Sequence, residues 1–295
     1  MRHLLPILCL VAVLACGCSS PMKAIDGCDS VHTQKAFDAA PGDFRFAIMA
    51  DRTGGMRPGV FEDAIEKLNL LQPEFVMCVG DLIGGYTEEK DKAKLEQMHT
   101  EIDALVGRLE MPFFYLPGNH DISNPFMAKD YIDHYQRSYY HFLYKNVLFL
   151  CLNTEDPPDT HIGPEQASYA ARVLKENPNA RWTFVFMHKP MWISGRDKGW
   201  EPIEKLLEGR PHTVFAGHLH GYSKSQRSGR DYYVLATTGG DSRLLGPMAG
   251  SFDHIMWVTV NQKGPHVVNL VLAGIAPEMI RPEKPAEAQP VAAPK

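Results

Sequence analysis

Between residues 44 and 216 the sequence alternates short apolar runs with helical patterns, and that order leaves few architectures open. The apolar runs fall at 44–50, 75–79, 113–116, 147–152, 182–187 and 213–216, all of strand length. Helical patterns fall at 58–69, 88–109, 125–137, 164–176 and 200–208, the first with proline at an early helical position. Such strand–helix–strand order predicts largely parallel strands. After Ala216 the pattern changes to strands alone, at 222–226, 232–236, 255–260 and 267–272, with a hairpin turn expected at Ser228-Gly229. No internal repeat is present.

The two ends read differently. Met1-Arg2-His3 precedes an apolar run over 4–15, which suits a secretory signal better than a spanning helix of about 20 residues. The run ends in Val13-Leu14-Ala15-Cys16-Gly17-Cys18-Ser19-Ser20, which resembles the lipobox of bacterial lipoproteins. Either Cys16 or Cys18 would carry the lipid; the alternative is a plain signal peptide with incidental cysteines. The expected division is a signal over 1–18, a tether over 19–42 that holds Cys28, one folded domain over 43–280 and a disordered tail over 281–295. That tail has four prolines and four alanines in 15 residues. The expected location is outside the cytoplasm, anchored to a membrane if lipidated. Six cysteines in 295 residues exclude a dense disulfide framework, and Cys78 and Cys151 in apolar runs read as buried thiols. With 30 basic and 35 acidic side chains the net charge is −5, which argues against a nucleic-acid coat protein but not against a nuclease with a local phosphate site.

The residues that follow the strands carry the functional information. The exits are Asp51-Arg52-Thr53-Gly54-Gly55, Gly80-Asp81, Pro117-Gly118-Asn119-His120-Asp121, His188-Lys189-Pro190 and Gly217-His218-Leu219-His220. Five strand exits thus bring carboxylates, an amide and imidazoles to the carboxyl edge of the sheet, where open α/β sheets bind ligands. Oxygen and nitrogen donors without cysteine suit Mn, Fe or Zn. Two such ions about 3.5–4 Å apart, sharing a carboxylate, would hold a hydroxide and clamp a phosphate ester for in-line attack.

This set of motifs resembles the calcineurin-like metallophosphoesterases. The paired signatures Gly118-Asn119-His120-Asp121 and Gly217-His218-Leu219-His220 carry most of the resemblance. It implies a four-layer αββα sandwich of two mixed β-sheets flanked by helices, with the strand-only C-terminal part expected in the second sheet. It also implies up to two divalent ions and a phosphorylated substrate. By position, Asp81 would bridge both ions, Asp51 and His220 would bind the first, and Asn119, His188 and His218 the second. His120 would contact the scissile phosphate and protonate the leaving oxygen, with Asp81 helping to orient it, and Asn119 would also contact substrate.

One position departs: the family's histidine two residues after the first Asp is Thr53 here. That gap keeps open a mononuclear or non-catalytic relative that binds a phosphorylated ligand. Tyr86 is a candidate replacement, or an ordinary loop tyrosine. Arg52 would grip phosphate or pair with a nearby carboxylate, and Arg196 is a weaker phosphate candidate. Trp192 and Trp200 would line a pocket or join the core. His141, His161, His212 and His254 match no family position, and Asp241 lies in a loop that could approach the site.

Overall fold

The computed structural model describes residues 40–156, 161–193 and 199–275. The expected signal and tail, the candidate lipidation cysteines Cys16 and Cys18, Cys28 and Arg196 lie outside these residues. From Gly42 onward the described chain forms one compact unit.

The strands are β1 (Phe44–Met49), β2 (Phe75–Cys78), β3 (Phe113–Phe114), β4 (Tyr140–Tyr144), β5 (Val147–Cys151), β6 (Trp182–Phe186), β7 (His212–Ala216), β8 (Ser223–Arg227), β9 (Arg230–Val234), β10 (His254–Asn261) and β11 (Gly264–Val271). The helices are α1 (Val60–Leu71), α2 (Lys92–Val106), α3 (Pro125–Tyr135), α4 (Pro164–Glu176) and α5 (Trp200–Leu207). One sheet runs β11-β10-β1-β2-β3 and the other β4-β5-β6-β7-β9-β8, each with parallel and antiparallel pairs.

Period-two alternation builds the layers. On β1, Phe44, Phe46 and Ile48 face a core between the sheets, where they meet Phe149, Phe184, Phe186 and Phe215 from the other sheet. Ala47 and Met49 point the other way, onto Phe61, Ile65 and Leu68 of α1 and Leu95 and Ile102 of α2. The second sheet repeats the scheme. Leu148, Leu150, Val185 and Val214 pack under Val173 of α4 and Trp200, Ile203 and Leu207 of α5. The result is the expected helix–sheet–sheet–helix sandwich, with Cys78 and Cys151 buried as free thiols.

Three expectations need correction. The C-terminal strands do not make up one sheet: β8 and β9 extend the second, whereas β10 and β11 return to flank β1 in the first. β10 alternates buried and half-buried residues, so either sheet could have taken it from its pattern alone. The strand β4 was not foreseen. Its residues Tyr-His-Phe-Leu-Tyr lack clean alternation, but they pair with β5 across a two-residue turn, Lys145-Asn146, with both φ positive (44° and 59°). That is the hairpin turn whose backbone twist matches paired strands, and Asn146 was its signal. The turn expected at Ser228-Gly229 joins β8 to β9, with φ of 48° and 73°. Lastly, α1 begins at Val60, after a left-handed Gly59, so Pro58 precedes the helix.

The inter-sheet core sets the stability. Phe46 is fully buried and packs against the rings of Phe75, Phe149 and Phe184. Phe46→Ala should lower unfolding free energy by about 3–5 kcal/mol in chemical denaturation. The exposed Leu206→Ala should change it by no more than about 0.5 kcal/mol.

Candidate metal centre

The parallel pairing of β1 with β2 sets Met49 opposite Cys78, so the two strands deliver Asp51 and Asp81 side by side. Backbone bonds lock the exits together: Asp51 N–H donates to Gly80 O (3.2 Å) and Thr53 N–H to Asp81 O (3.0 Å). The second sheet closes on them from the other side. His188, after β6, donates Nδ1–H to Val79 O (2.8 Å), and the His218 N–H, after β7, donates to Asp51 Oδ1 (2.8 Å). The two sheets are therefore joined at this edge through the candidate ligands themselves.

The local backbone is strained to achieve this. Asp51, Asp81, His218 and His220 all have positive φ, at 51°, 60°, 72° and 51°. Each such residue costs of order 1–3 kcal/mol, and it persists only where the surrounding structure dictates it. Asp121 supplies much of that restraint. Its carboxylate accepts four backbone N–H groups, from Asp81 (2.7 Å), Leu82 (3.0 Å), Ile83 (3.1 Å) and Gly118 (2.8 Å). One buried side chain thus clamps the β2 exit to the loop that carries Asn119 and His120.

The donor atoms form two groups that share Asp81. Asp81, His188 and His218 make one, and Asp51, Asp81 and His220 the other; within each group one donor atom per residue lies within 4.8 Å of the others. Asn119 joins the first through Oδ1, 3.0 Å from His188 Nε2, while its Nδ2 donates to the Tyr86 hydroxyl (3.2 Å). The second group has fewer donors, because Thr53 stands where the family has histidine.

The hydrogen-bond pattern fits a cation at each group. A carbonyl oxygen only accepts, so His188 on Val79 O, His220 on Asp241 O (2.9 Å) and His120 on Gly84 O (3.1 Å) each carry their hydrogen on Nδ1. That leaves Nε2 of each ring as the atom that could offer a lone pair to an ion, in His188 once its Nε2 proton is lost, the arrangement by which outer partners orient metal-binding histidines. His188 Nε2 faces Asp81 Oδ2 (3.2 Å) and Asn119 Oδ1 (3.0 Å), so three atoms able to coordinate a cation converge on one place, where the His188 proton now sits. Asp51 Oδ2 is buried with no hydrogen-bond partner among the described residues. Gly217 and Gly118 leave room for these carboxylates, since a Cβ would collide with Asp51 Oδ2 at the first and with Asp81 Oδ1 at the second.

The electrostatics agree. Burial pushes the Asp51 carboxyl up to about 8, with the Asp81 carboxylate adding to the rise. Burial also opposes charge on Asp81, but the adjacent His188 outweighs it and holds Asp81 down at about 2. For His188, burial disfavours the cation and Asp81 overcomes it, raising the ring to about 10. His218 is lowered to about 4, by burial first and then by His188, so it is a neutral donor at pH 7. Two buried carboxylates side by side thus draw protons, and divalent cations would balance the same charge.

The contacts narrow three roles that the sequence leaves open. Arg52 is buried, its guanidinium bonded to Glu101 and to Leu82 O (2.9 Å) and set against the Phe61 ring; the carboxylate pairing holds and the phosphate grip does not. Tyr86 contacts Asn119 and the edge of the His120 ring (centroids 5.0 Å apart), so it does not replace the missing histidine beside Asp51. Asp81 orients the His120 backbone, accepting its N–H at Oδ1 (2.8 Å), whereas the Gly84 carbonyl orients the ring.

Trp200 is core under the second sheet, and Trp192 packs on Tyr232. His141, His212 and His254 bond to Tyr169, Arg210 O and Asn269, outside the donor groups. The supports that sequence reading missed are mostly backbone carbonyls, of Val79, Gly84 and Asp241, which residue identity does not mark. Arg57 was missed as well: it donates to Gly240 O (2.9 Å) and to Asp253 Oδ2 (2.7 Å), holding the loop that carries Asp241.

Solved structures with the same architecture include a dimetal phosphatase from Danio rerio. It is 13% identical with TM-score 0.54, and the match covers 78% of this chain and 99% of that one. The purple acid phosphatase PPD1 from yellow lupin (Lupinus luteus) seeds is 14% identical with TM-score 0.57, over 79% of this chain and 53% of that one, so this chain spans about half of the lupin enzyme. GAP50, the anchor in the inner membrane complex of Plasmodium, is 14% identical with TM-score 0.59, covering 78% and 85%. At these identities the likeness is one of fold. No match is found among curated proteins. The calcineurin-like phosphoesterase family profile matches residues 33–222, which include every donor of both groups, and the chain belongs to that family.

Proposed function

We propose that the protein is a metal-dependent phosphoesterase that hydrolyses phosphate mono- or diesters, exported and tethered to a membrane through Cys16 or Cys18. The observation that carries the hydrolytic reading is the pair of donor groups sharing Asp81, with a free imidazole nitrogen beside them. Asp51, Asp81 and His220 would hold one ion, and Asp81, Asn119, His188 and His218 the other. Bound Mn, Fe or Zn would supply Lewis acidity for water and offset the charge of a phosphate.

The chain's own residues supply position and protons. A Cβ placed on Gly54 would lie 3.1 Å from His220 Nε2 and 3.4 Å from His120 Nε2, so both nitrogens face one small space that only glycine leaves open. The Gly84 carbonyl keeps the His120 hydrogen on Nδ1 and aims Nε2 into that space. When the ring is protonated on both nitrogens, Nε2–H can pass its proton to the leaving oxygen while Nδ1–H stays on Gly84 O, with the Tyr86 ring set edge-on to the imidazole. Thr53 favours one competing reading, a phosphate-ligand binder with a single occupied site and no turnover. The tether reading rests on the N-terminal sequence alone.

Elemental analysis of protein incubated with Mn, Fe or Zn should give two ions per chain, with loss of both on Asp81→Asn. One ion at most under every condition would favour the binder. Loaded protein should hydrolyse p-nitrophenyl phosphate or its bis ester, and His120→Ala should slow this by about 10²–10⁴-fold with metal content unchanged. Metal uptake should also release protons. At pH 7 the empty centre holds them on His188 (about 10) and Asp51 (about 8), so each must leave as its donor atom is taken. Affinity should therefore rise with pH above 7, and indicator titration in weak buffer should read about two protons released per chain. Release of none would contradict the charge distribution described here.

A further inference from the structure

We infer that the site takes a lipid phosphate, a phosphate ester whose alcohol part carries a long hydrocarbon chain; this deepens the phosphoesterase reading and rests on it. Twelve large apolar side chains are exposed among the described residues, and half of them lie on the loops that build the candidate centre: Met56, Tyr86, Leu219, Leu244, Leu245 and Met248. Large apolar residues scattered singly over a surface need no explanation, but this concentration on one set of loops does.

Each is tied to the centre by chain or by contact. Leu219 stands between His218 and His220 and is 52% exposed. Met56 follows Gly54-Gly55, and Tyr86 lies against His120. The other three belong to one segment that leaves Asp241, whose carbonyl holds His220 and whose N–H donates to Gly54 O (3.0 Å). That segment closes on itself through the Gly246–Ser251 bridge and raises a 3₁₀ turn, Pro247–Ala249, which leaves Met248 fully exposed. Arg243 is its one charged side chain between Asp241 and Asp253.

The same segment walls an apolar groove of about 420 Å³, lined by Val60, Leu244, Pro247, Phe252, Val271 and Leu272. The two carboxylates at its border are engaged within the protein, Asp63 by Lys67 and Asp253 by Arg57. Leu244 belongs to both rim and groove, and it lies three residues from Asp241, at most about 10 Å along an extended chain. The segment's hydrogen-bonding side chains are Arg243 and the serines Ser242 and Ser251, which bond to each other (3.2 Å), so Leu244, Leu245 and Met248 dominate the surface it offers a substrate. Aliphatic side chains beside a phosphate-binding centre fit a substrate with a polar head and an apolar tail.

Phosphonates, whose C–P bond is not an ester, test binding apart from turnover. Methyl-, butyl- and octylphosphonate would be titrated by calorimetry into the full-length protein carrying Zn, with adenosine 5′-phosphonate as a competitor class. The expected result is an affinity that rises up to about fourfold per added methylene. In Leu244→Ser/Met248→Ser that rise should flatten, and methylphosphonate binding would report whether the centre is intact; both changes are at the surface, and thermal melting checks folding. Affinity independent of chain length, a rise undiminished in the variant, or tighter binding of the adenosine compound would each overturn the inference while leaving the phosphoesterase reading in place. Failure of all phosphonates to bind, methylphosphonate included, would overturn that reading and the inference with it.

Discussion

Two buried carboxylates, Asp51 and Asp81, stand next to each other at the end of adjacent parallel strands, and the structure around them is organised by that charge. In a core built from aromatic and aliphatic side chains, an uncompensated pair of this kind is strongly unfavourable. The protein answers with His188 against Asp81, with backbone N–H groups on Asp51 and Asp81, and with protonation of Asp51. A divalent ion in each donor group would meet the same need more fully. The strain at four of the candidate ligand positions fits the same need: it holds the donors where ions would require them.

The double-sheet core is what makes that arrangement rigid. The rings of Phe46, Phe149, Phe184 and Phe186 interlock between the sheets and fix how the two sets of strand ends approach one another. The first sheet supplies Asp51, Asp81, Asn119 and His120, and the second supplies His188, His218 and His220. The centre exists only where both edges meet, so packing many residues away governs its geometry. Asp121 shows the same dependence at short range. It touches no candidate ion, yet its four hydrogen bonds hold two ligand-bearing loops in one orientation.

The centre is asymmetric. One group has an amide and two imidazoles beside the shared carboxylate, the other a carboxylate and one imidazole, because Thr53 contributes a backbone bond to Asp81 where the family has a ring nitrogen. A richer donor set beside a leaner one would give the two groups unequal affinities for divalent ions. The loops outside the centre differ in character from its polar interior, since Leu219, Leu244 and Met248 present apolar surface where the donors end.

Much of this was legible without coordinates. Strand–helix alternation indicated parallel strands and the residues after each strand indicated candidate donors, because a metal site needs particular side-chain types and those are written in the sequence; the layered sandwich came from the family resemblance of those motifs. What tertiary structure decided was direction and company. It turned Arg52 inward to Glu101, placed Tyr86 on Asn119 and His120, returned β10 and β11 to the first sheet, and made backbone carbonyls of Val79, Gly84 and Asp241 the guides of three imidazoles. Side-chain identity sets which chemistry is available, whereas a carbonyl is the same at every position, and only the fold determines which one a histidine meets.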